Sequence, residues 1–360
     1  MKRIFVSDVH MGAGRSFQAE YTGHVYDWLS QDEADTFAAF LQYLNDDASV
    51  DEVILLGDIM DNWVCPAGDI PPSFAEIVAE PINKFICTQF ATLAQNSAKN
   101  LIYISGNHDM GITQAELDQF FPGISMRADY QSDSLFAGHG NQYALFCAPD
   151  PVNDPQGMLP LGYFISRVAA TNAALTGSDN SFRYFVDDFM KELVKSKKLV
   201  NAVFEAIVEQ AGLDDASDII MPAGSIKIST VKRRYSNIYE QWDGRGTLVS
   251  ASEALTAEIS PVGLAAAARK LNMAGKNIII FGHTHACGLA KLRRYDDPDA
   301  EYISANCGTW CDHDEKGKPF SFIEAEMNEP EGKHYVRLKT WNRETKQPAD
   351  NFQEEVIEVS

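Results

Sequence analysis

The chain has 360 residues, 45% hydrophobic, 22% charged and 11% aromatic, the balance of a globular protein with a sizeable core rather than a disordered or low-complexity one. Against 51 acidic side chains stand 30 basic ones, a formal charge of −21, which argues against a protein that coats a nucleic-acid backbone by neutralising its phosphates. A small phosphorylated substrate remains compatible with that charge, because bound metal can supply positive charge locally.

The start, Met1-Lys2-Arg3-Ile4-Phe5-Val6, places only a short apolar run before Ser7 and Asp8, where a signal peptide needs about 7–15 apolar residues. No stretch approaches the ~18 apolar residues of a spanning helix. A cytoplasmic location is therefore expected. The six cysteines, Cys65, Cys87, Cys147, Cys287, Cys307 and Cys311, are sparse for this length and read as reduced thiols rather than a disulfide framework.

Strand and helix patterns then alternate. Ile4–Ser7, Val53–Leu56, Leu101–Ile104 and Ser134–Ala137 are short apolar runs followed by turn or glycine signals. Between them, Ala34 to Leu44 and Ile82 to Leu93 carry apolar residues at helical spacing. This alternation predicts an α/β sandwich on a sheet with parallel strands. From Pro149 to about Ala274 the signals are mainly helical, over 182–194 and again over Val203 to Ala211 with Gly212 as the stop. Strand signals return with a buried run at 277–281, followed by 289–295, 302–305, 320–326 and 335–341, which look like an antiparallel series. The expected organisation is a core of residues 1–148 and 275–345, a helical insertion or cap over 149–274, and a tail over 346–360.

Five clusters stand where a strand runs into a loop: Asp8-Val9-His10, Gly57-Asp58-Ile59-Met60-Asp61, Gly106-Asn107-His108-Asp109, Gly138-His139-Gly140 and Gly282-His283-Thr284-His285. They hold five of the eight histidines, a concentration that packing does not explain. The carboxyl ends of strands in an open α/β sheet converge on one crevice, so these distant stretches can meet. In extended chain, residues two apart point the same way, which lets Asp8 with His10, and His283 with His285, each aim two groups at one site. Asp8, His10, Asp58, Asn107, His139, His283 and His285 make a mixed oxygen and nitrogen donor set suited to Mn, Fe, Zn or Co. Seven candidates exceed one four-coordinate ion and fit two ions sharing a bridging carboxylate.

In these residues the sequence resembles the calcineurin-like metallophosphoesterase superfamily, whose ordered signature DxH…GDxxD…GNHD/E…GHx…GHxH is present in full over residues 8 to 285. Asn306-Cys307-Gly308-Thr309-Trp310 also looks like the strand after its last motif. The resemblance implies a four-layer α/β/β/α metallophosphoesterase sandwich and a metal-dependent phosphoric ester hydrolase with two divalent or mixed-valence transition-metal ions (Mn, Fe or Zn). Carried over by motif, Asp8, His10, Asp58 and His285 would hold one ion, and Asp58, Asn107, His139 and His283 the other. His108 would be the catalytic, non-ligand histidine near the leaving-group oxygen, oriented by Asp61. The implied reaction is attack of a metal-bridging hydroxide on a small phosphomonoester, phosphodiester or diphosphate.

Within the superfamily the chain is similar to the bacterial branch that includes UDP-2,3-diacylglucosamine diphosphate hydrolase, in its size range, its GHTH ending and its capped insertion. It departs from that enzyme's third block, which has Arg where His108 stands. The rival readings are a DNA-repair-type nuclease of the same superfamily, disfavoured by the acidic charge, and a non-catalytic scaffold, disfavoured by the complete ligand set. The expected partner is a small phosphorylated substrate and not nucleic acid. A membrane-surface or acyl contact through the apolar run Gly157 to Ile165 is set against packing of the insertion, and oligomeric state is left open. Three further features have ordinary and functional readings: the basic stretch Lys227, Lys232, Arg233 and Arg234 as solvated surface or distal-phosphate contact; the aromatics Tyr21, Tyr26 and Trp28 as core or substrate wall; and Cys307 to His313, with Cys287, as buried thiols or half a zinc site.

Overall fold

The computed structural model describes residues 1–177, 199–242, 247–258, 263–294, 296–311, 320–328, 331–350 and 352–358. The helix expected over 182–194 lies outside the described residues. The strands in chain order are β1 (Lys2–Val6), β2 (Glu52–Leu56), β3 (Asn100–Ile104), β4 (Ser125–Arg127), β5 (Tyr130–Gln131), β6 (Leu135–Ala137), β7 (Asp218–Met221), β8 (Gly224–Lys227), β9 (Ile278–Phe281), β10 (Gly288–Arg293), β11 (Glu301–Asn306), β12 (Ser321–Asn328), β13 (Lys333–Asn342), β14 (Gln347–Pro348) and β15 (Gln353–Glu358). The helices are α1 (Gln31–Asp46), α2 (Phe74–Ala79), α3 (Lys84–Gln95), α4 (Gln114–Phe120), α5 (Leu161–Thr176), α6 (Leu199–Gln210), α7 (Ile228–Arg234), α8 (Ile238–Trp242), α9 (Ala251–Ala257) and α10 (Ala265–Met273).

Two sheets carry the molecule. The first runs β14-β13-β12-β1-β2-β3-β4, with β15 also paired to β13; its β1 to β4 are parallel. The second runs β10-β11-β9-β6-β5, with β11, β9 and β6 parallel. Because side chains alternate across a strand, each central strand feeds two cores. Ile54 and Leu56 of β2 meet Ile278 and Ile280 of β9 between the sheets. Val53 and Leu55 pack outward on Phe37, Phe40 and Phe90 of α1 and α3. Ile279 and Phe281 face the other way, toward Phe164, Phe204, Tyr235 and Trp242. The result is a four-layer α/β/β/α sandwich with mixed parallel and antiparallel sheets.

Helix starts follow their caps. Ser30 accepts from Glu33 N–H while the Glu33 carboxylate accepts the Ser30 N–H at 2.6 Å, a capping box that begins α1 three residues before the apolar pattern does. The same device starts α9 at Ser250 and Glu253.

Residues 149–274 are mainly helical among the described residues, yet they include the hairpin β7–β8. They share one apolar core with the outer face of the second sheet, and so supply the fourth layer. Arg167 of α5, fully buried, binds them to the segment after β2: it donates to the carbonyls of Cys65, Pro66, Asp69 and Ile220 and to the Tyr163 hydroxyl. Leu161 to Ile165 are buried in this core, so packing accounts for most of the apolar run beginning at Gly157. No described helix is long and apolar enough to cross a membrane.

Two expectations need correction. The later strands are not one continuous antiparallel series: β10 and β11 pair antiparallel in the second sheet, whereas β12 and β13 leave for the first sheet and pair antiparallel beside β1. Residues 346–360 are not merely a tail, since β14 and β15 both hydrogen-bond to β13. The polar sequence Gln353-Glu354-Glu355 concealed that pairing, because backbone hydrogen bonds define a strand even where its side chains do not bury.

Candidate metal centre

The parallel strands β1, β2 and β3 of one sheet and β6 and β9 of the other end on the same rim, and each releases one cluster there. Main-chain hydrogen bonds continue the pairing past the strand ends: Val9 and His10 N–H donate to the Asp58 carbonyl at 2.9 and 3.0 Å, Gly282 N–H to His139 at 2.9 Å, and Trp310 N–H to Asp8 at 2.9 Å. Among the described residues, eight non-glycine positions have positive φ, and five of them are Asp8 (57°), His10 (54°), Asp58 (51°), His283 (72°) and His285 (56°). Such backbone is uncommon outside glycine and concentrates where side chains must be aimed. Two glycines are required by closeness. A Cβ on Gly57, at φ 87°, would stand 2.5 Å from Cγ of His139, and one on Gly106 would collide with the Asp58 carboxylate.

The seven candidate ligands come together. Nε2 of His10 lies 3.1 Å from Nε2 of His285 and 4.0 Å from Oδ2 of Asp58, and Oδ1 of Asp8 lies 3.4 Å from Nε2 of His285. On the other side, Oδ2 of Asp58 is 3.1 Å from Nε2 of His139, and Oδ1 of Asn107 is 3.1 Å from Nδ1 of His283. Asp58 is common to both groups.

The second ring nitrogens are already engaged. His10 Nδ1 meets Asp61 Oδ2 at 2.8 Å and His139 Nδ1 donates to the Leu56 carbonyl at 2.9 Å, which leaves each Nε2 for the site. Asp8 Oδ1 and His139 Nε2 are buried without a hydrogen-bond partner. Buried polar atoms are seldom left so. A donor set of carboxylate, amide and imidazole with orphaned atoms at its centre fits divalent transition-metal ions.

Charge is distributed unevenly. Burial alone would raise the Asp58 carboxyl, but the imidazoles of His139, His108 and His10 hold it well below the usual range. Burial likewise works against charge on His139, yet Asp58 and Asp8 push it up to about 10; cation binding there must displace that proton. His283 is driven well down by burial and by the neighbouring His139, and His10 is lowered by burial against the pull of Asp61, so both are neutral imidazoles ready to donate lone pairs. His108 Nδ1 sits 3.0 Å from Asp61 Oδ2. Burial opposes its charge, but Asp61 and Asp58 raise it overall.

Side chains beyond the seven candidate ligands also shape the site. Trp28 packs edge-on against His10 at 4.3 Å between ring centroids and also touches His285 and His108, so this aromatic borders the site, whereas Tyr26 is buried with Val64 and Ala170. Trp63 lies against His108 at 4.7 Å. Asp109, visible only as the end of GNHD, accepts from Ile59 N–H at 3.0 Å, from the Tyr103 hydroxyl at 2.5 Å and from Gly106 N–H at 2.5 Å, and so braces two ligand loops. Cys311 falls within 4.8 Å of ligand-type atoms of His10 and His285, as do Cys147 and Glu258 of His283. Burial raises Glu258 to about 7.

The remaining candidates lie elsewhere. Lys227, Lys232 and Arg234 pair with Asp218, Asp215 and Asp154 at 3.2, 2.6 and 3.5 Å. Cys307 is buried between the sheets, whereas Cys311, packed in the core beside the first sheet's helices, also stands near His10 and His285; Asp312 and His313 lie outside the described residues.

Residues 1–287 match the family model of the calcineurin-like phosphoesterases. Among solved structures the chain is similar to a single mutant of Vps29 from Entamoeba histolytica, at 11% identity and a TM-score of 0.33 over 100% of both chains. It is also similar to GAP50, the anchor in the inner membrane complex of Plasmodium, at 10% identity and a TM-score of 0.36 over 98% of this chain and 88% of that one. No curated protein matches.

Proposed function

The chain belongs to the calcineurin-like phosphoesterase family, and from that premise we propose that it is a two-metal hydrolase of a small phosphomonoester, phosphodiester or diphosphate. The observation that carries this reading is the convergence of Asp8, His10, Asp58, Asn107, His139, His283 and His285 on one buried rim, in two groups that share Asp58. Asp8, His10, Asp58 and His285 would hold one ion, and Asp58, Asn107, His139 and His283 the other. When bound, such a pair supplies Lewis acidity for the phosphoryl oxygens and lowers the pKa of an attacking water.

The rest is done by side chains of this protein. Asp61 fixes His108 through Nδ1 and favours its imidazolium, so that the ring can hold a proton for the leaving-group oxygen, a general-acid role typically worth about 10²–10⁴-fold. Trp28 and Trp63 flank the imidazoles and limit the water around them, which strengthens charge interactions at the reacting groups.

The test is a substrate panel with Mn²⁺ supplied: p-nitrophenyl phosphate, its bis ester, cyclic nucleotides and UDP-sugars. Metal-dependent hydrolysis of at least one is expected, and monoester against diester preference then fixes the subclass. Protein that binds less than one ion per chain after Mn²⁺ dialysis and turns over none of them would overturn the reading.

A further inference from the structure

Among the described residues, the helical insertion brings the carboxylate of Glu258 to the candidate metal centre. Glu258 caps the C-terminus of α9, and its side chain is 1% exposed. Its two carboxylate oxygens have separate tasks. Oε1 accepts the main-chain N–H groups of Phe146 and, at 3.2 Å, Cys147, which follow the Gly138-His139-Gly140 loop. Oε2 has no hydrogen-bond partner and stands 4.0 Å from Nε2 of His283, itself buried and unpartnered. The other nitrogen of that ring, Nδ1, faces Asn107 Oδ1 at 3.1 Å, inside the ligand cluster.

Resting on the two-metal reading above, we propose that Glu258 is a positioning residue for His283: a carboxylate delivered by the insertion that accepts a hydrogen bond from Nε2–H and leaves Nδ1 as the ligand atom. A ligating imidazole almost always gives its far N–H to a carboxylate, a carbonyl or water, which fixes tautomer and ring orientation. Among the described residues Glu258 Oε2 is the ion-pair partner found for Nε2 of His283, and closing the gap to hydrogen-bond length takes a shift of roughly 1 Å. Two orphaned buried atoms of opposite character then satisfy each other. The arrangement makes occupancy of one cation site depend on how the insertion is seated. The five sequence clusters alone do not contain that dependence.

Glu258→Gln separates the two tasks, because an amide oxygen can still accept from Phe146 and Cys147 while an NH₂ group meets the His283 N–H. Equilibrium dialysis against Mn²⁺ with elemental analysis reads the outcome. Wild type should bind two ions, and Glu258→Gln should keep one at wild-type affinity while the other weakens by about 10–100-fold. Two ions at unchanged affinity would overturn the proposal. Wild type with no ions would instead remove the two-metal reading itself, so the failures are distinguishable. Should the variant not fold, zinc-loaded wild type labelled with ¹⁵N-histidine decides the matter. His283 is expected to be metal-bound through Nδ1 with a proton on Nε2, and ligation through Nε2 would refute the assignment whatever the variant does.

Discussion

Nδ1 of His108 lies 3.0 Å from Oδ2 of Asp61, the same oxygen that holds Nδ1 of His10 at 2.8 Å. One carboxylate thus orients both a candidate ligand and the candidate proton donor. In His108→Asn, metal content should stay at the wild-type level while kcat falls about 10²–10⁴-fold, the usual worth of a general acid; unchanged turnover would exclude the ring from the reaction. The pH profile adds a sign. Asp61 raises His108 above its ordinary value near 6.5, so activity that needs the imidazolium persists above pH 6.5 and falls as pH rises through the raised value. Asp61→Asn keeps an oxygen for the Trp63 and Val64 N–H groups but removes that charge. Its alkaline limb should move to lower pH, and a stationary limb would assign it to another group.

Asp58 is the residue common to both halves of the site, 3.1 Å from His139 and 4.0 Å from His10. Its Oδ1 also accepts the His108 N–H at 2.8 Å, so Asp58→Asn preserves the loop contact through the amide oxygen while removing the shared negative charge. Elemental analysis should find this variant depleted of metal, with kcat/KM at least about 10²-fold down if both ions act in catalysis. Full occupancy would show that the carboxylate does not bridge.

The site was legible where its chemistry is local. Asp8 with His10, and His283 with His285, advertise themselves by spacing at the ends of apolar strands, and the unbroken apolar runs Val53-Ile54-Leu55-Leu56 and Ile278-Ile279-Ile280-Phe281 announce strands buried on both faces. Glu258 was not legible. It stands in the insertion, far along the chain from His139 and in no motif, and only the packing of α9 brings it to His283. Likewise Tyr26 and Trp28 are two residues apart with different fates, one in a small satellite cluster and one beside the imidazoles, because the segment holding them has no regular element to set a period. The strand β15 was hidden for the opposite reason: its backbone pairs while half of its side chains face solvent.

Among the described residues Arg167 is buried without a carboxylate partner; four main-chain carbonyls and the Tyr163 hydroxyl satisfy its guanidinium. Truncation removes those bonds and strands the carbonyls in an apolar surround, each at a cost of about 1–3 kcal/mol when left unpaired. Arg167→Ala should lose about 3–5 kcal/mol in urea unfolding, allowing for partial rehydration of the cavity. Because the same side chain ties Cys65, Pro66 and Asp69 to α5 and to Ile220, protease cleavage within residues 62–70 should accelerate in the variant. A loss under about 1 kcal/mol, at the level of a surface substitution, would mean that the segment is held by other contacts.

On the first sheet, Glu324 of β12 lies opposite Arg337 of β13 and accepts from Arg337 at 2.8 Å and from Lys339 at 3.0 Å, with Lys2 at 3.3 Å. Burial would raise its carboxyl, but the bonds from Arg337 and Lys339 outweigh burial and lower it. A group whose folded-state pKa is depressed stabilises the fold above its unfolded value, about 4.3 for Glu, and loses that contribution as pH falls through the lower folded value. Glu324→Gln should therefore have a lower Tm than wild type at pH 7, and the difference should shrink steadily on acidification below about pH 4.3. Thermal melts of both proteins between pH 7 and pH 3 check this. Removing the carboxylate also leaves Arg337 with Glu326 at 2.8 Å and its contact to Glu354, so the cation is not stranded and the deficit at neutral pH stays moderate. A deficit that is the same at pH 7 and pH 3 would place the loss in packing rather than in the ion cluster.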